Sequence, residues 1–186
     1  MRKFCEENER IKKEYLHWLQ HAGRQSEDSV DKVAAALVRF EASTGFKPFK
    51  DFHIDQAVAF KKALAKSKSA GTGKPLAKAT ASGTLRNVKA FFKWLAFRPG
   101  FKKRIRPNDA DYFNLSAKDE AVAHAHREKP YPSMEQALHV FRNMPEASDI
   151  ELRNKALFAL LLLTAARDGA VASLKLKHVD LVEGQI

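Results

Sequence analysis

Cysteine is nearly absent from this chain of 186 residues, since Cys5 is the only one. A single cysteine excludes an internal disulfide framework and any metal site built from several cysteines. Long apolar runs are also missing: the longest, Ala156–Leu163, is far shorter than the roughly 20 residues of a membrane-spanning helix. The first ten residues are charged throughout, unlike a signal peptide. These absences favour a cytoplasmic protein that does not enter a membrane.

Acidic residues are scarce in one block of the sequence. Residues 47–106 contain sixteen Lys and Arg but only Asp51 and Asp55, a net charge of +14, whereas residues 1–46 are neutral and residues 107–186 carry −3. Such a concentrated positive block predicts a polyanionic partner. The alternatives are an acidic membrane surface and lysines that serve solubility. The block has no strongly apolar face left over after core packing, which argues against the membrane.

Helical periodicity dominates the first part of the chain. Four segments each carry one apolar stripe and are joined by short links, at about 6–21, 27–43, 54–67 and 79–97. In the fourth, apolar residues recur at intervals of three and four: Ala81, Leu85, Val88, Phe92 and Leu95. The pattern predicts an all-α fold in which residues 1–107 form a four-helix bundle.

A polar stripe runs along the fourth predicted helix, about one residue further round than the apolar stripe. It consists of Ser82, Arg86, Lys89 and Lys93, and a basic ridge of this kind suits the phosphate backbone of DNA. Neighbouring basic residues extend the predicted interface: Lys74, Lys78, Lys102, Lys103, Arg104 and Arg106. The alternative is an ordinary solvated helix face.

Residues 108–130 lack a strong apolar period, and we expect them to link two domains. His124 and His126 alternate in this segment, but no cysteine or carboxylate set completes a metal site. The sequence GTGK at 71–74 lacks the glycine spacing and the following Ser or Thr of a nucleotide-binding loop. We therefore expect neither a metal nor a nucleotide cofactor.

Two further helices are predicted after the linker. Ser133 and Gln136 have the spacing of a capping box, and Asp149 is the expected cap of the next helix, which contains the eight-residue apolar run. That helix is apolar on all sides, so we expect it to be buried at the centre of a domain. Arg167 follows it closely, and an arginine at the end of a buried helix is costly unless an anion meets it.

The residues around Arg167 resemble a motif of the tyrosine recombinases, also called phage integrases. In that family the first catalytic arginine follows a buried helix in a Thr-Gly-x-Arg context, and a Leu-x-x-x-x-Ile/Val-Asp segment comes next. This chain has Thr164-Ala165-Ala166-Arg167, followed at matching spacing by Leu174, Val179, Asp180, Leu181 and Ile186. It departs from the family where Ala165 replaces the usual glycine and where Ala170 replaces a frequent acidic residue.

The resemblance implies a function and a division of the chain. Residues 1–107 would be a core-binding domain that clamps duplex DNA, and residues 131–186 would be the first helices of a truncated catalytic domain. Arg167 would bind the scissile phosphate. The remaining catalytic groups, including the tyrosine that forms a 3′-phosphotyrosyl link, would lie beyond Ile186, so this fragment alone should be inactive. Other recombinase protomers on the DNA are implied as partners, and no cofactor is required.

The residues leave other interpretations open. The chain could be a DNA-binding protein without catalysis, such as a regulator or an excision factor, or it could be an RNA-binding module. Arg167 could be an ordinary helix-end arginine that pairs with Asp168 or Asp180.

Overall fold

A computed structural model describes residues 4–69, 71–125, 130–180 and 182–183. Regular secondary structure in these residues is helical, apart from isolated bridge positions such as the antiparallel pair Lys68 and Pro75. The predicted all-α class is therefore confirmed. The chain divides into two compact units, Met1–His126 and Arg127–Ile186, which we call unit 1 and unit 2.

The described part of unit 1 is built from α-helices joined by short turns. They are α1 (Glu6–His21), α2 (Glu27–Ser43), α3 (Ile54–Lys66), α4 (Lys78–Leu95) and α5 (Ala117–His124), with short 3-10 helices at Phe49–Asp51 and Pro107–Phe113. The first four lie within two residues of the helices predicted from periodicity, because each has one apolar face that can be buried against the others.

Phenylalanine side chains form the centre of unit 1. The ring of Phe92 in α4 lies 5.1 Å from that of Phe40 in α2 and 4.1 Å from that of Phe52, measured between centroids. Phe113 stacks on Phe92 at 5.6 Å and is 1% exposed. The core therefore includes the 3-10 helix that carries Phe113, in addition to the four predicted helices.

The segment after α4 differs from the linker that the sequence led us to expect at 108–130. Ala110 and Phe113 are buried in the core of unit 1, and residues 117–124 form α5, whose N-cap Ser116 accepts a hydrogen bond from the amide of Asp119. Two apolar anchors in a polar segment give too weak a period to be recognised in the sequence. Residues 126–129, the end of the expected linker, lie outside the described residues.

A buried polar network joins α1 to α2 and to the loop that follows α2. The Asn8 amide donates to Glu41 Oε1 and to the Lys47 carbonyl, both at 3.0 Å, and its oxygen accepts from the Phe49 amide at 2.8 Å. Lys12 pairs with Glu41 and, at 2.7 Å, with Glu9. Burial lowers the pKa of Lys12, but the hydrogen bonds that its ammonium donates to Glu41 and Glu9 outweigh that effect and hold the pKa above its ordinary value. No buried side-chain nitrogen or oxygen among the described residues lacks a hydrogen-bond partner.

Unit 2 is described by α6 (Met134–Arg142), α7 (Asp149–Thr164), α8 (Asp168–Ala172) and a 3-10 turn at Leu176–His178. The capping box of Ser133 and Gln136 is confirmed, since each side chain bonds the other residue's backbone amide. At α7 the prediction was off by one residue. Ser148 is the N-cap and forms a capping box with Glu151, while Asp149 is the first helical residue.

The expectation that the leucine-rich helix is buried was wrong. None of the described residues of α7 is buried, and Leu157, Leu161 and Leu163 are 39%, 37% and 85% exposed. Among the described residues of unit 2, the short helices α6 and α8 pack against α7, and two short helices cannot cover a helix whose apolar residues point in all directions. Over the residues described here, no helix is both long and apolar enough to cross a membrane.

Candidate nucleic-acid interface

An open groove of about 660 Å³ lies between α2 and α4. Its floor contains Tyr15 and Leu19 from α1, which are both buried. Polar side chains that can donate or accept hydrogen bonds line its walls: Gln25, Ser29, Thr80, Thr84 and Asn87. The groove is therefore a concave, polar surface on a rigid pair of helices, supported from below by the core.

Three basic side chains line this groove: Lys32 and Arg39 from α2, and Arg86 from α4. All three are exposed. The groove lining contains no Asp or Glu, and none of the three cations forms an ion pair with a carboxylate in the described residues. The Arg39 guanidinium lies 3.5 Å from the hydroxyl of Thr84. The groove can thus accept an extended anion without first breaking an ion pair of these three cations.

Sequence reasoning found Arg86 but missed Lys32 and Arg39. Residues 1–46 contain equal numbers of acidic and basic residues, so counting charge by blocks hid these two cations. The signal that could have found them is their spacing, because residues seven apart lie on the same face of a helix. That face of α2 meets α4 beside Arg86.

Two further predicted contacts on α4, the neighbouring Lys78 and Ser82 of the ridge, meet acidic residues of unit 1. Lys78 lies 2.8 Å from the Asp119 carboxylate, and the Ser82 hydroxyl lies 3.1 Å from Glu120. Ser82 is also 6% exposed. These contacts come from α5, which lies about 40 residues further along the chain than its partners on α4.

Asp111 neutralises the other end of the ridge. Its carboxylate lies 2.9 Å from the Lys89 ammonium and 3.3 Å from that of Lys93. Lys89 also donates to the side-chain oxygen of Asn114 at 2.7 Å. Hydrogen bonds from Lys89 and Lys93 hold the pKa of Asp111 below its ordinary value, and those from Lys78 and Ser116 do the same for Asp119. The ridge is thus less positive than the sequence suggests.

The remaining predicted contacts lie in turns outside α4. Lys74 is exposed in the turn before α4, and four further cations are exposed in the segment after it: Lys102, Lys103, Arg104 and Arg106. Arg106 is the N-cap of the 3-10 helix, and its amide donates to Asp109 at 2.9 Å. No ion pair of Lys74 or of the four later cations occurs in the described residues.

Arg167 is the N-cap of α8 and is exposed, so the burial cost that made it a candidate site in the sequence does not arise in unit 2. In the described part of the chain, Arg167 forms no ion pair with Asp168 or Asp180, and each of these carboxylates accepts from a backbone amide instead. Asp168 accepts from Gly169 at 2.8 Å, and Asp180 accepts from Val182 at 2.9 Å. The guanidinium is accessible to an external anion.

One of the two positions that depart from the recombinase motif, Ala165, has a backbone conformation typical of glycine. Ala165 ends α7 in the left-handed conformation, with φ 50° and ψ 26°, a region that glycine enters at much lower cost. Thr164 closes the same turn by donating to the Leu160 carbonyl at 2.7 Å. Of the downstream residues in the motif, Leu181 and Ile186 lie outside the described residues.

Comparisons with protein-family models, curated proteins and solved structures each gave no match to this chain.

Proposed function

We propose that unit 1 binds duplex DNA through the groove between α2 and α4. The observation that carries this proposal is the set of three exposed cations, Lys32, Arg39 and Arg86, along a groove without acidic lining. Lysine and arginine at the rim of a concave surface contact phosphates, while hydroxyl and amide groups between them supply further hydrogen bonds. A paired helix surface of this kind presents its donors in a fixed geometry, which limits the entropy lost on binding.

We further propose, on the sequence resemblance, that the chain is the DNA-binding part of a site-specific tyrosine recombinase. Such an enzyme breaks and rejoins DNA through a 3′-phosphotyrosyl intermediate. Arg167 would stabilise the charge of the phosphoryl group during the reaction. The accessible guanidinium supports this assignment, although a nucleophile and a general acid are also needed for the chemistry.

The experiment for the groove compares two double variants that remove the same charge. Lys32→Ala/Arg39→Ala removes groove cations, whereas Lys62→Ala/Lys66→Ala removes exposed cations of α3 from the positive block. Affinity for a short labelled duplex is measured by fluorescence anisotropy over a range of salt concentrations. We expect the groove variant to bind about tenfold more weakly, with little change in the control. The salt slope, which is the slope of log affinity against log salt concentration, should become shallower by about two units in the groove variant. Equal losses of affinity in both variants would contradict the proposal that DNA binds in the groove.

The experiment for the recombinase assignment uses a nicked suicide substrate that traps covalent protein–DNA links. Residues 1–186 should give no adduct, because Tyr15, Tyr112 and Tyr131 all precede Arg167, whereas the family's nucleophile follows its arginine. The coding sequence after Ile186 should encode a His-x-x-Arg pair and a tyrosine. A stop codon directly after Ile186 would instead favour the alternative, a non-catalytic DNA-binding protein.

A further inference from the structure

α5 lies against the side of α4 that faces away from α2. It is held there by side-chain contacts that involve Asp119, which pairs with Lys78, and Glu120, which accepts from Ser82. None of the residues of α5 is buried. Exposed ion pairs contribute about 0–1 kcal/mol each to stability, so α5 is weakly attached to the rest of unit 1.

The segment that precedes α5 is attached much more firmly. Ala110 and Phe113 are 0% and 1% exposed and form part of the phenylalanine core. Asp111 lies between them, so its ion pairs with Lys89 and Lys93 are fixed by the same anchors. No residue of α5 belongs to the core, so α5 can leave α4 at a smaller cost than the 3-10 helix at Pro107–Phe113, and its departure widens a crevice that Leu85 and Phe113 already line.

The surface beneath α5 continues the cationic edge of the groove. Lys78, Ser82 and Arg86 recur every four residues along α4, so they form a row with a rise of about 6 Å between neighbours. We call this row the α4 flank. Arg86 lines both the groove and a second crevice, of about 450 Å³, between α4 and the segment that contains Asn114 and Glu120. The contact between α5 and α4 is thus incompletely packed.

Asp119 and Glu120 offer the α4 flank anionic hydrogen-bond acceptors, as the phosphates of a DNA backbone would. A carboxylate, like a phosphodiester, is an anion that only accepts hydrogen bonds. Lys78 donates to one of these carboxylates and Ser82 to the other. The two side chains are therefore already oriented toward anionic acceptors.

We propose that the α4 flank is a second phosphate-binding surface for duplex DNA, which α5 occupies until DNA displaces it. This inference rests on the proposed function of the neighbouring groove. α5 then acts as an internal competitor: DNA that is bound in the groove reaches the α4 flank only when Asp119 and Glu120 move away. Displacement frees Lys78 and Ser82, while Lys89 and Lys93 stay paired with the anchored Asp111.

The test compares Asp119→Asn/Glu120→Gln with Glu27→Gln/Asp28→Asn, which makes the same change of charge at the exposed start of α2. Each protein is titrated with the same labelled duplex at several salt concentrations. The α5 variant should bind about fivefold more tightly and gain about one unit of salt slope, the value for one additional phosphate contact. The α2 variant should change by less than about twofold. Equal gains in both variants would overturn the inference.

A third substitution asks whether the gain comes from the α4 flank. Lys78→Ala should have little effect in the otherwise unchanged protein, because it removes the contact with Asp119 from the free protein as well as the phosphate contact from the complex. In the Asp119→Asn/Glu120→Gln background it should abolish the gain in affinity and in salt slope. If Lys78→Ala has the same effect in both backgrounds, α5 does not compete for Lys78 and the inference is wrong.

Hydrogen exchange provides a separate measurement. Adding duplex DNA should lower the protection of the α5 amides while that of the α4 amides is kept, and unchanged or increased protection of α5 would refute displacement. The two proposals fail in different ways. If the protein has no affinity for duplex DNA, both are wrong. If it binds through Lys32 and Arg39 but the α5 variant matches its control, or tightens only on duplex RNA, this inference alone is wrong.

Discussion

The ammonium group of Lys93 lies 3.3 Å from the carboxylate of Asp111, although both side chains are close to half exposed. An ion pair of this kind adds little to stability because water screens it. It nevertheless reduces the charge that Lys93 offers to an external polyanion. Arg86, two turns earlier in α4, is exposed and forms no such pair in the described residues. Basic residues on one helix therefore differ in what they can contribute to binding.

The first prediction follows from this difference. Arg86→Ala should weaken duplex binding about fivefold and lower the salt slope by about one unit, as expected for the loss of one phosphate contact. Lys93→Ala should change affinity by less than about twofold, because Asp111 already compensates its charge. Anisotropy titrations of the two single variants make the comparison. Equal effects would show that the pairing in the structure does not determine binding.

The second prediction concerns how the stability of unit 1 falls at acidic pH. Hydrogen bonds from Lys89 and Lys93 lower the pKa of Asp111 from 3.8. A lowered folded-state pKa means that the stabilising contribution is present above 3.8 and is lost as the pH falls through the lower, folded value. A carboxyl-carbon NMR titration should place the Asp111 midpoint below 3.8, and Lys89→Ala/Lys93→Ala should move it upward. A midpoint unchanged by removal of both lysines would contradict this cause.

The third prediction concerns the buried network at the start of α1. Asn8→Ala should lower the free energy of unfolding of unit 1 by about 2–3 kcal/mol, because Glu41, the Lys47 carbonyl and the Phe49 amide each lose a buried partner. Urea unfolding followed by tryptophan fluorescence measures it, since Trp18 and Trp94 both belong to unit 1.

The matched control for that measurement is Asn108→Ala, an exposed asparagine of the same unit, which should change stability by less than about 0.5 kcal/mol. A loss of about 2–3 kcal/mol in both variants would mean that the Asn8 hydrogen bonds are not specifically stabilising.

The fourth prediction concerns the end of α7. Ala165 has φ 50°, which costs a residue with a Cβ about 1 kcal/mol or more relative to glycine. Ala165→Gly should therefore slow hydrogen exchange of the residue 165 amide, which donates to the Leu161 carbonyl at 2.9 Å. Ala170→Gly, inside α8, should instead speed hydrogen exchange of the amides around it, because glycine disfavours a right-handed helix. Faster exchange in the Ala165→Gly protein would contradict the strain.

Helices α1 to α4 could be predicted because the sequence signal of each is local. A stripe such as Leu85, Val88 and Phe92 recurs at helical spacing, and burial of that stripe requires only that some apolar surface meets it. The boundaries of α1 to α4 followed from these stripes and from the turns between them. The core position of Phe113 could not be predicted in the same way, since one aromatic residue in a polar segment has no period.

The candidate interface was only partly predictable because its electrostatics depend on distant partners. Arg86 was identified from its place on the ridge, but nothing near Lys78 in the sequence indicates that Asp119 neutralises it. The expectation for α7 failed for a related reason. A run of leucines shows that burial would be favourable, whereas the burial of Leu161 depends on which elements are present to pack against it.

The distribution of buried residues has a consequence for calorimetry. Every buried residue among those described belongs to unit 1, and the heat capacity change of unfolding arises mainly from apolar surface that becomes exposed to water. A chain of 186 residues with one continuous core would show about 2.2–2.8 kcal/mol/K, whereas a core confined to Met1–His126 corresponds to about 1.5–1.9 kcal/mol/K. The thermogram of the whole chain should therefore have a smaller baseline step than that of a protein of equal length with one continuous core.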